Sequence, residues 1–393
     1  MLIVVSGLIA QYPFGGVAWD YIGYLTGFRA LGHEVYYLED TGLWPYDPVN
    51  RTISPECAYN VAYLERVMRF FGFEERWMYC NAADGRFYGQ DEEVARQLMR
   101  EADILLHPSS MTDLTKYEVD CSSREDRGLR VFIDGDPMFT QVGLITAPDA
   151  PHPQSIFRQD MHFTFGLKLG DADCAAPTAG LGWRKTLPCL PLEYWPFDDE
   201  LPTRDAFTSV LNWISYNPCV WEGKEYGQKD IEFLKMIDLP AHVSKPLIMA
   251  MGQGVGGKRP TELLREKGWQ ILEPEEVVND WLSYRDFVRT SLAEWSITKH
   301  GYVAARTGWF SGRSVCYLAA GRPVILQDTG WTEYLPSGEG LLGFRTMEES
   351  VRAIDEVSTH YDRHRRAARA LAEKYFDATK ICAALLEEIG KER

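Results

Sequence analysis

Short continuous apolar runs alternate along this chain with longer stretches whose apolar positions recur at helical spacing. That alternation predicts buried parallel strands separated by amphipathic helices. Residues 2–6 are the first run. A loop through Gly15 and Gly16 leads to a helix on which Ala18, Ile22 and Leu25 share a face, Gly32 stops it, and 34–38 is the next strand. Ser54, Pro55 and Glu56 read as a helix start and Gly72 as its stop; a helix over 92–100 and strands over 103–107, 129–134 and 161–165 follow. From 186 to 204 the pattern breaks into prolines, Trp195, Phe197 and the acidic Asp198, Asp199 and Glu200, as a crossing between domains does. It then restarts, with strands over 208–213, 246–251 and 269–272 and helices over 228–237 and 261–267. The end is helical, over 348–357, 361–375 and 378–389. The expectation is α/β: two doubly wound, Rossmann-like domains over 1–195 and 205–376, with 377–393 as a terminal helix.

Composition narrows the function. At 393 residues, 45% hydrophobic and 25% charged, the chain is globular and too long for one core. A formal net charge of −16 argues against a nucleic-acid or anionic-membrane partner. None of the eight cysteines pairs in a CxxC, so no metal is expected, and no apolar run approaches ~20 residues, so no membrane span is expected either. The expected setting is cytoplasmic. After Gly7 the first loop runs on to Gly15 and Gly16, so the dinucleotide fingerprint is missing and no nicotinamide or flavin cofactor is expected. Gly252 to Arg259 lacks the spacing of a phosphate loop and reads as surface.

The most informative stretch runs from Glu294 to Gly340. Ser311 is a candidate N-cap, Val315, Leu318 and Ala319 form one buried stripe, Gly321 is a stop, and a strand from Pro323 ends in Asp328, Thr329, Gly330 and Trp331. A helix N-terminus carries partial positive charge and unpaired N–H groups. Gly312, Arg313 and Ser314 at that end, with Lys299 and Arg306 upstream, therefore predict a phosphate cradle. A polyhydroxylated group would lie beside the Asp328 loop, at the carboxyl end of its strand.

With Gly15–Gly16 and Leu31-Gly-His-Glu-Val35 near the start, and Tyr317-Leu-Ala-Ala-Gly-Arg-Pro-Val-Ile325, Asp328-Thr-Gly330 and Gly338-Glu-Gly340 near the end, the chain resembles the GT-B glycosyltransferases. The resemblance implies two domains facing across a cleft, an acceptor site near Gly15 and Gly16, and a nucleotide-sugar donor, the only co-substrate, in the second domain. Gly312, Arg313 and Ser314 would hold the diphosphate with Lys299. Trp269 to Leu272 would lie near the base, Asp328, Thr329, Gly330 and Trp331 would meet the sugar, and the last helix would return to the first domain. Gly308 and Cys316 stand where retaining members carry acidic residues, which leaves ribose contacts and stereochemistry open. An inverting transfer to a small-molecule or glycan acceptor needs a base, for which Asp136, Asp134, His107 and His152 are candidates. A sugar-nucleotide epimerase and a non-enzymatic binding protein are the alternatives. Arg313→Ala is expected to weaken donor binding far more than folding.

Overall fold

The computed structural model describes residues 1–109, 112, 114–117, 127–197, 202–254 and 259–391. Asp198, Asp199 and Glu200 of the crossing, and Val255 to Lys258 of the Gly252 to Arg259 loop, lie outside the described residues.

The first half is one eight-stranded sheet. In chain order its elements are β1 (Leu2–Ser6), α1 (Gly15–Ala30), β2 (Glu34–Glu39), β3 (Trp77–Cys80), β4 (Phe87–Gly89), β5 (Ile104–Pro108), β6 (Leu129–Asp134), β7 (Met161–Thr164) and β8 (Trp183–Lys185). The spatial order is β8-β7-β6-β5-β1-β2-β3-β4, parallel throughout except for β4. Order reverses beside β1, the topological switch at which ligands of doubly wound sheets bind.

The second half holds β9 (Arg204–Ile214), α2 (Lys229–Lys235), β10 (Leu247–Gly254), β11 (Gln270–Leu272), α3 (Trp281–Thr290), β12 (Ser291–Ser296), α4 (His300–Ala305), α5 (Gly312–Ala319), β13 (Val324–Gln327) and β14 (Leu341–Phe344). Its six strands run β11-β10-β9-β12-β13-β14, all parallel. Three helices close the chain, the last being α6 (Ala378–Gly390). The helix expected at Ser54 starts later, at Ala58, because Ser54 Oγ turns to accept the Glu56 N–H and closes a local turn instead. No helix among the described residues is long and apolar enough to cross a membrane.

One apolar core runs from the first half into the second. Trp19 on α1 and Trp195 at the crossing meet with ring centroids 4.9 Å apart, and Trp19 Nε1 donates to the carbonyl of Trp281, 3.0 Å away, at the start of α3. A Cβ on Gly15 would lie 2.2 Å from the Asp280 carbonyl oxygen, so α1 and α3 touch backbone to backbone at this glycine. Farther along α1, Gly27 lets Ala378 and Cys382 of α6 approach equally closely, and Leu190 exchanges backbone hydrogen bonds with Phe376 and Ala378.

Candidate functional site

The carboxyl ends of the first sheet and the start of α5 look onto a cavity of about 170 Å³, lined among others by Asp20 and Tyr24 of α1, Ser109 after β5, Gly135 after β6, Trp309, and Gly312 of α5. Trp309 Nε1 donates to the Gly135 carbonyl at 2.9 Å, and Ser109 Oγ accepts the Gly135 N–H at 3.0 Å. These bonds fix the wall opposite α1. A larger cavity of about 610 Å³, lined by Asp40, Asn81, Lys116 and Gln154, opens at the ends of β2 and β3 and shares no lining residue with the first.

The start of α5 is uncapped. Ser311 occupies the N-cap position in extended conformation, but its hydroxyl makes no capping bond, so no side chain covers the first N–H groups. Ser314 Oγ is fully buried without a hydrogen-bond partner. Arg313, however, points inward. Its Nε donates to Glu294 Oε1 at 2.5 Å, Nη1 to the Val210 carbonyl at 2.9 Å, and Nη2 to Ser296 Oγ. Glu294 is a fully buried carboxylate in the middle of β12, and Arg313 is what makes it tolerable there. The guanidinium expected to hold phosphate is thus a structural brace; only its backbone N–H remains at the helix start.

Sequence reasoning missed Lys229, the first residue of α2, which has no hydrogen bond or ion pair among the described residues. Burial, and then the positive charges of Arg313 and Lys299, push its ammonium well below the ordinary lysine range. Burial and these like charges disfavour its charged form, and a bound anion would relieve both. No local motif marks it, because α2 reads as an ordinary amphipathic helix. Lys299 stands across from it, with Nζ 2.9 Å from Asp136 Oδ1 and a further hydrogen bond to Tyr216. Tyr216 and Tyr302 also donate to Asp136, which clasps the halves together.

The candidate bases occupy other roles. Asp134 is 1% exposed, and both its oxygens are saturated: Oδ1 by Thr140 and the Asp136 N–H, Oδ2 by Gln141 and Thr164, at 2.7–2.9 Å. Asp136 is consumed by Lys299 and the two phenols. His107 is buried with Nδ1 2.8 Å from Ser6 Oγ; burial, then Arg130, lowers it to about 4, so it stays neutral. His152 packs edge-on to Phe132, its basicity lowered by burial and partly restored by Asp136.

The expected sugar loop is also internal. Asp328 Oδ1 accepts the Gly330 N–H at 2.8 Å, and Oδ2 takes Thr332 Oγ1 and two Arg345 nitrogens at 2.6–3.0 Å. Burial alone would raise this carboxyl, but Arg345 and the loop hydrogen bonds hold it below the usual range. Thr329 Oγ1 donates to the Trp309 carbonyl, and Gly330, at φ 101°, is a glycine because a Cβ would lie 2.5 Å from Lys168 Cδ. Trp331 is wholly buried against Phe310, so it anchors the loop and cannot stack on a sugar. Trp269 is a core residue, its Nε1 donating to the Ile237 carbonyl; Leu272 is half-buried at the end of β11. Arg306 is spent at the rim on Asp173 and Glu333. Gly15 and Gly16 meet Asp280 and Tyr284, so both let α1 pack closely on the start of α3. Gly308, at φ 72°, has no room for a side chain because a Cβ would lie 2.7 Å from the Lys168 nitrogen.

Asp20 is the other residue missed. Its carboxylate has no hydrogen bond or ion pair among the described residues, and a Cβ on Gly312 would lie 3.0 Å from its Oδ1. Asp20 is exposed at the cavity wall, yet enough protein lies around it that desolvation, opposed by Arg313, pushes its carboxyl up to about 7. A signal was there: Asp20 is the one charged residue between Gly15 and Phe28.

No family model matches the chain, and no curated protein matches it in sequence. Solved structures do. An alpha-glucosyltransferase in complex with UDP and a mismatched DNA 13-mer superposes with a TM-score of 0.59 at 14% identity, covering 99% of both chains. Anabaena HepE with UDP and glucose gives 0.58 at 12% identity over 100% of both. A Listeria monocytogenes protein assigned as a UDP-N-acetylglucosamine 2-epimerase gives 0.51 at 12%, over 100% of this chain and 96% of that one. The DNA-bound neighbour corrects the argument from net charge: a fold solved on DNA is carried here by a chain of charge −16, and a whole-chain sum does not set the local potential at a binding face, so nucleic acid is not excluded as a partner. Sheet order, the switch point beside β1 and these superpositions agree, and the chain has the GT-B glycosyltransferase fold.

Proposed function

We propose that this protein is a glycosyltransferase that takes a sugar from a nucleotide-diphosphate donor and passes it to an acceptor hydroxyl. The observation that supports this reading is the Lys229 ammonium, unpaired among the described residues and within electrostatic reach of Lys299 and of Arg313 in the first turn of the uncapped α5. Two lysines and a helix end supply the charge that a leaving diphosphate develops, so the transfer needs no metal and no cofactor besides the donor. In this reading the diphosphate replaces Asp136 as the partner of Lys299 and gives Lys229 its first. Neighbours of the same fold hold UDP, which makes UDP-sugars the first donors to test. The seven described cysteines are free thiols, which fits a cytoplasmic setting.

The test is calorimetric titration with UDP, GDP, ADP and dTDP, followed by nucleotide release from the matching sugar donors. Glycans, small alcohols and duplex DNA serve as acceptors. Binding of a nucleoside diphosphate with acceptor-dependent release is expected; failure to bind any of the four refutes the reading. Product analysis with donor alone separates transfer from epimerisation, the reaction named for one neighbour.

A further inference from the structure

Resting on the transferase reading, we infer that Asp20 is the general base: its carboxylate takes the proton of the acceptor hydroxyl in the cavity between α1 and α5. Among the described residues Asp20 is the one carboxylate that lines this cavity, and it lies beside Gly312 at the uncapped helix start. The other acids nearby are committed, Asp134 to four donors, Asp136 to Lys299 and Glu294 to Arg313. An exposed carboxylate with no partner among the described residues, on the wall of the cavity that also holds the start of α5, is free to take a proton from a hydroxyl bound there.

The step balances without a co-reactant. The acceptor O–H breaks and its proton passes to Asp20, the acceptor oxygen bonds to the anomeric carbon, and the bond from that carbon to the phosphate oxygen breaks with its electron pair leaving on the diphosphate. The sugar therefore arrives with inverted anomeric configuration. The titratable groups around Asp20 are Tyr21 and Tyr24 of α1, Cys189, Tyr284 of α3, and Arg313 and Cys316 of α5. Burial pushes both tyrosines of α1, Tyr284 and Cys316 well up, so the charged neighbour is Arg313, and its own charge is held by Glu294.

The experiment compares wild type, Asp20→Asn and Asp20→Ala in UDP binding and in release of UDP from UDP-sugars, water serving as the acceptor where none better is found. Asp20→Asn should bind UDP within about threefold of wild type and turn over about 100- to 10,000-fold more slowly. The wild-type kcat/KM should rise with pH through about 7, the acid limb should vanish in Asp20→Asn, and formate should restore Asp20→Ala. A merely structural role gives no rescue. If Asp20→Asn also loses UDP binding, the wild-type profile decides, and a profile flat through pH 7 overturns the assignment. Wild-type turnover with an unimpaired Asp20→Asn overturns Asp20 alone. Nucleotide binding with a retained anomeric configuration does the same while leaving transfer intact, and a wild type inert on every donor overturns both.

Discussion

Replacing Lys229 with methionine separates what this lysine does for binding from what it does to the fold. At about 4 Å and an effective dielectric of about 20, one ammonium and one phosphate charge attract by roughly 4 kcal/mol. Lys229 is partly open to the cleft, and Lys299 and the helix end share the ligand's charge, so about half of that is lost with it. A loss of about 2–3 kcal/mol is a rise in the UDP dissociation constant of roughly 30- to 150-fold. The free protein should respond in the opposite sense. Lys229 is a cation without a partner, pressed by Arg313 and Lys299, and a methionine of similar length relieves that repulsion. The unliganded variant should melt a degree or two higher than wild type, a gain of about 1 kcal/mol. Thermal melting with and without UDP reads both effects at once, since ligand stabilisation grows with the ratio of ligand to dissociation constant. The reasoning is refuted if the variant binds UDP within threefold of wild type, or if it melts lower without ligand.

Arg313→Ala is predicted to do the reverse of what the sequence suggests: it leaves Glu294 buried and unpaired, costing about 3–5 kcal/mol in urea unfolding, while the backbone N–H groups at the start of α5 stay in place. Gly15→Ala drives a methyl into the Asp280 carbonyl and should cost about 1–3 kcal/mol by the same measurement, whereas Gly16→Ala, whose nearest contact is a Tyr284 ring carbon at 3.3 Å, should cost less. Asp20→Asn should stabilise the protein at alkaline pH. The folded carboxyl, raised to about 7 from an ordinary 3.8, keeps a proton that the unfolded chain has lost, so wild-type stability falls as pH rises between these values. Wild type and variant should melt together near pH 4 and apart at pH 8, with the variant higher; coincident curves across that range would count against a carboxyl raised to about 7.

The fold was legible because its central strands are buried on both faces and announce themselves as apolar runs, as residues 2–6 and 129–134 do. β12 was not read as a strand at all. Its sequence, Ser-Leu-Ala-Glu-Trp-Ser, carries a charge and two hydroxyls, yet every residue is buried. The polar groups find partners elsewhere, Glu294 Oε1 and Ser296 in Arg313 and Ser291 in Thr208, and such long-range compensation has no local signature. The same physics misdirected the site reading. Arg313, Asp328 and Trp331 have the chemistry that a donor site wants, but each is consumed by a partner distant in sequence. The helix does start at Ser311 and Gly312 as the sequence suggests, although the Ser311 hydroxyl makes no capping bond there.

What separates candidate ligand groups from structural ones in this cleft is therefore not residue type but whether folding has already used them. Buried polar groups in a folded chain are nearly always paired, because leaving one unpaired costs more than most single contacts contribute. Arg313 and Lys229 lie within electrostatic reach of each other, and both are cations able to grip a phosphate. One is saturated by a carboxylate, a carbonyl and a hydroxyl; the other has nothing. Asp134 and Asp20 divide in the same way across the first half, four hydrogen bonds against none. The chain pairs its buried Glu294 in β12 with Arg313, yet leaves the half-buried Lys229 and the solvent-facing Asp20 without a partner among the described residues, so both remain available to a ligand. The signs of the unpaired charges say which ligand: an anion at Lys229, and a group that can give up a proton at Asp20.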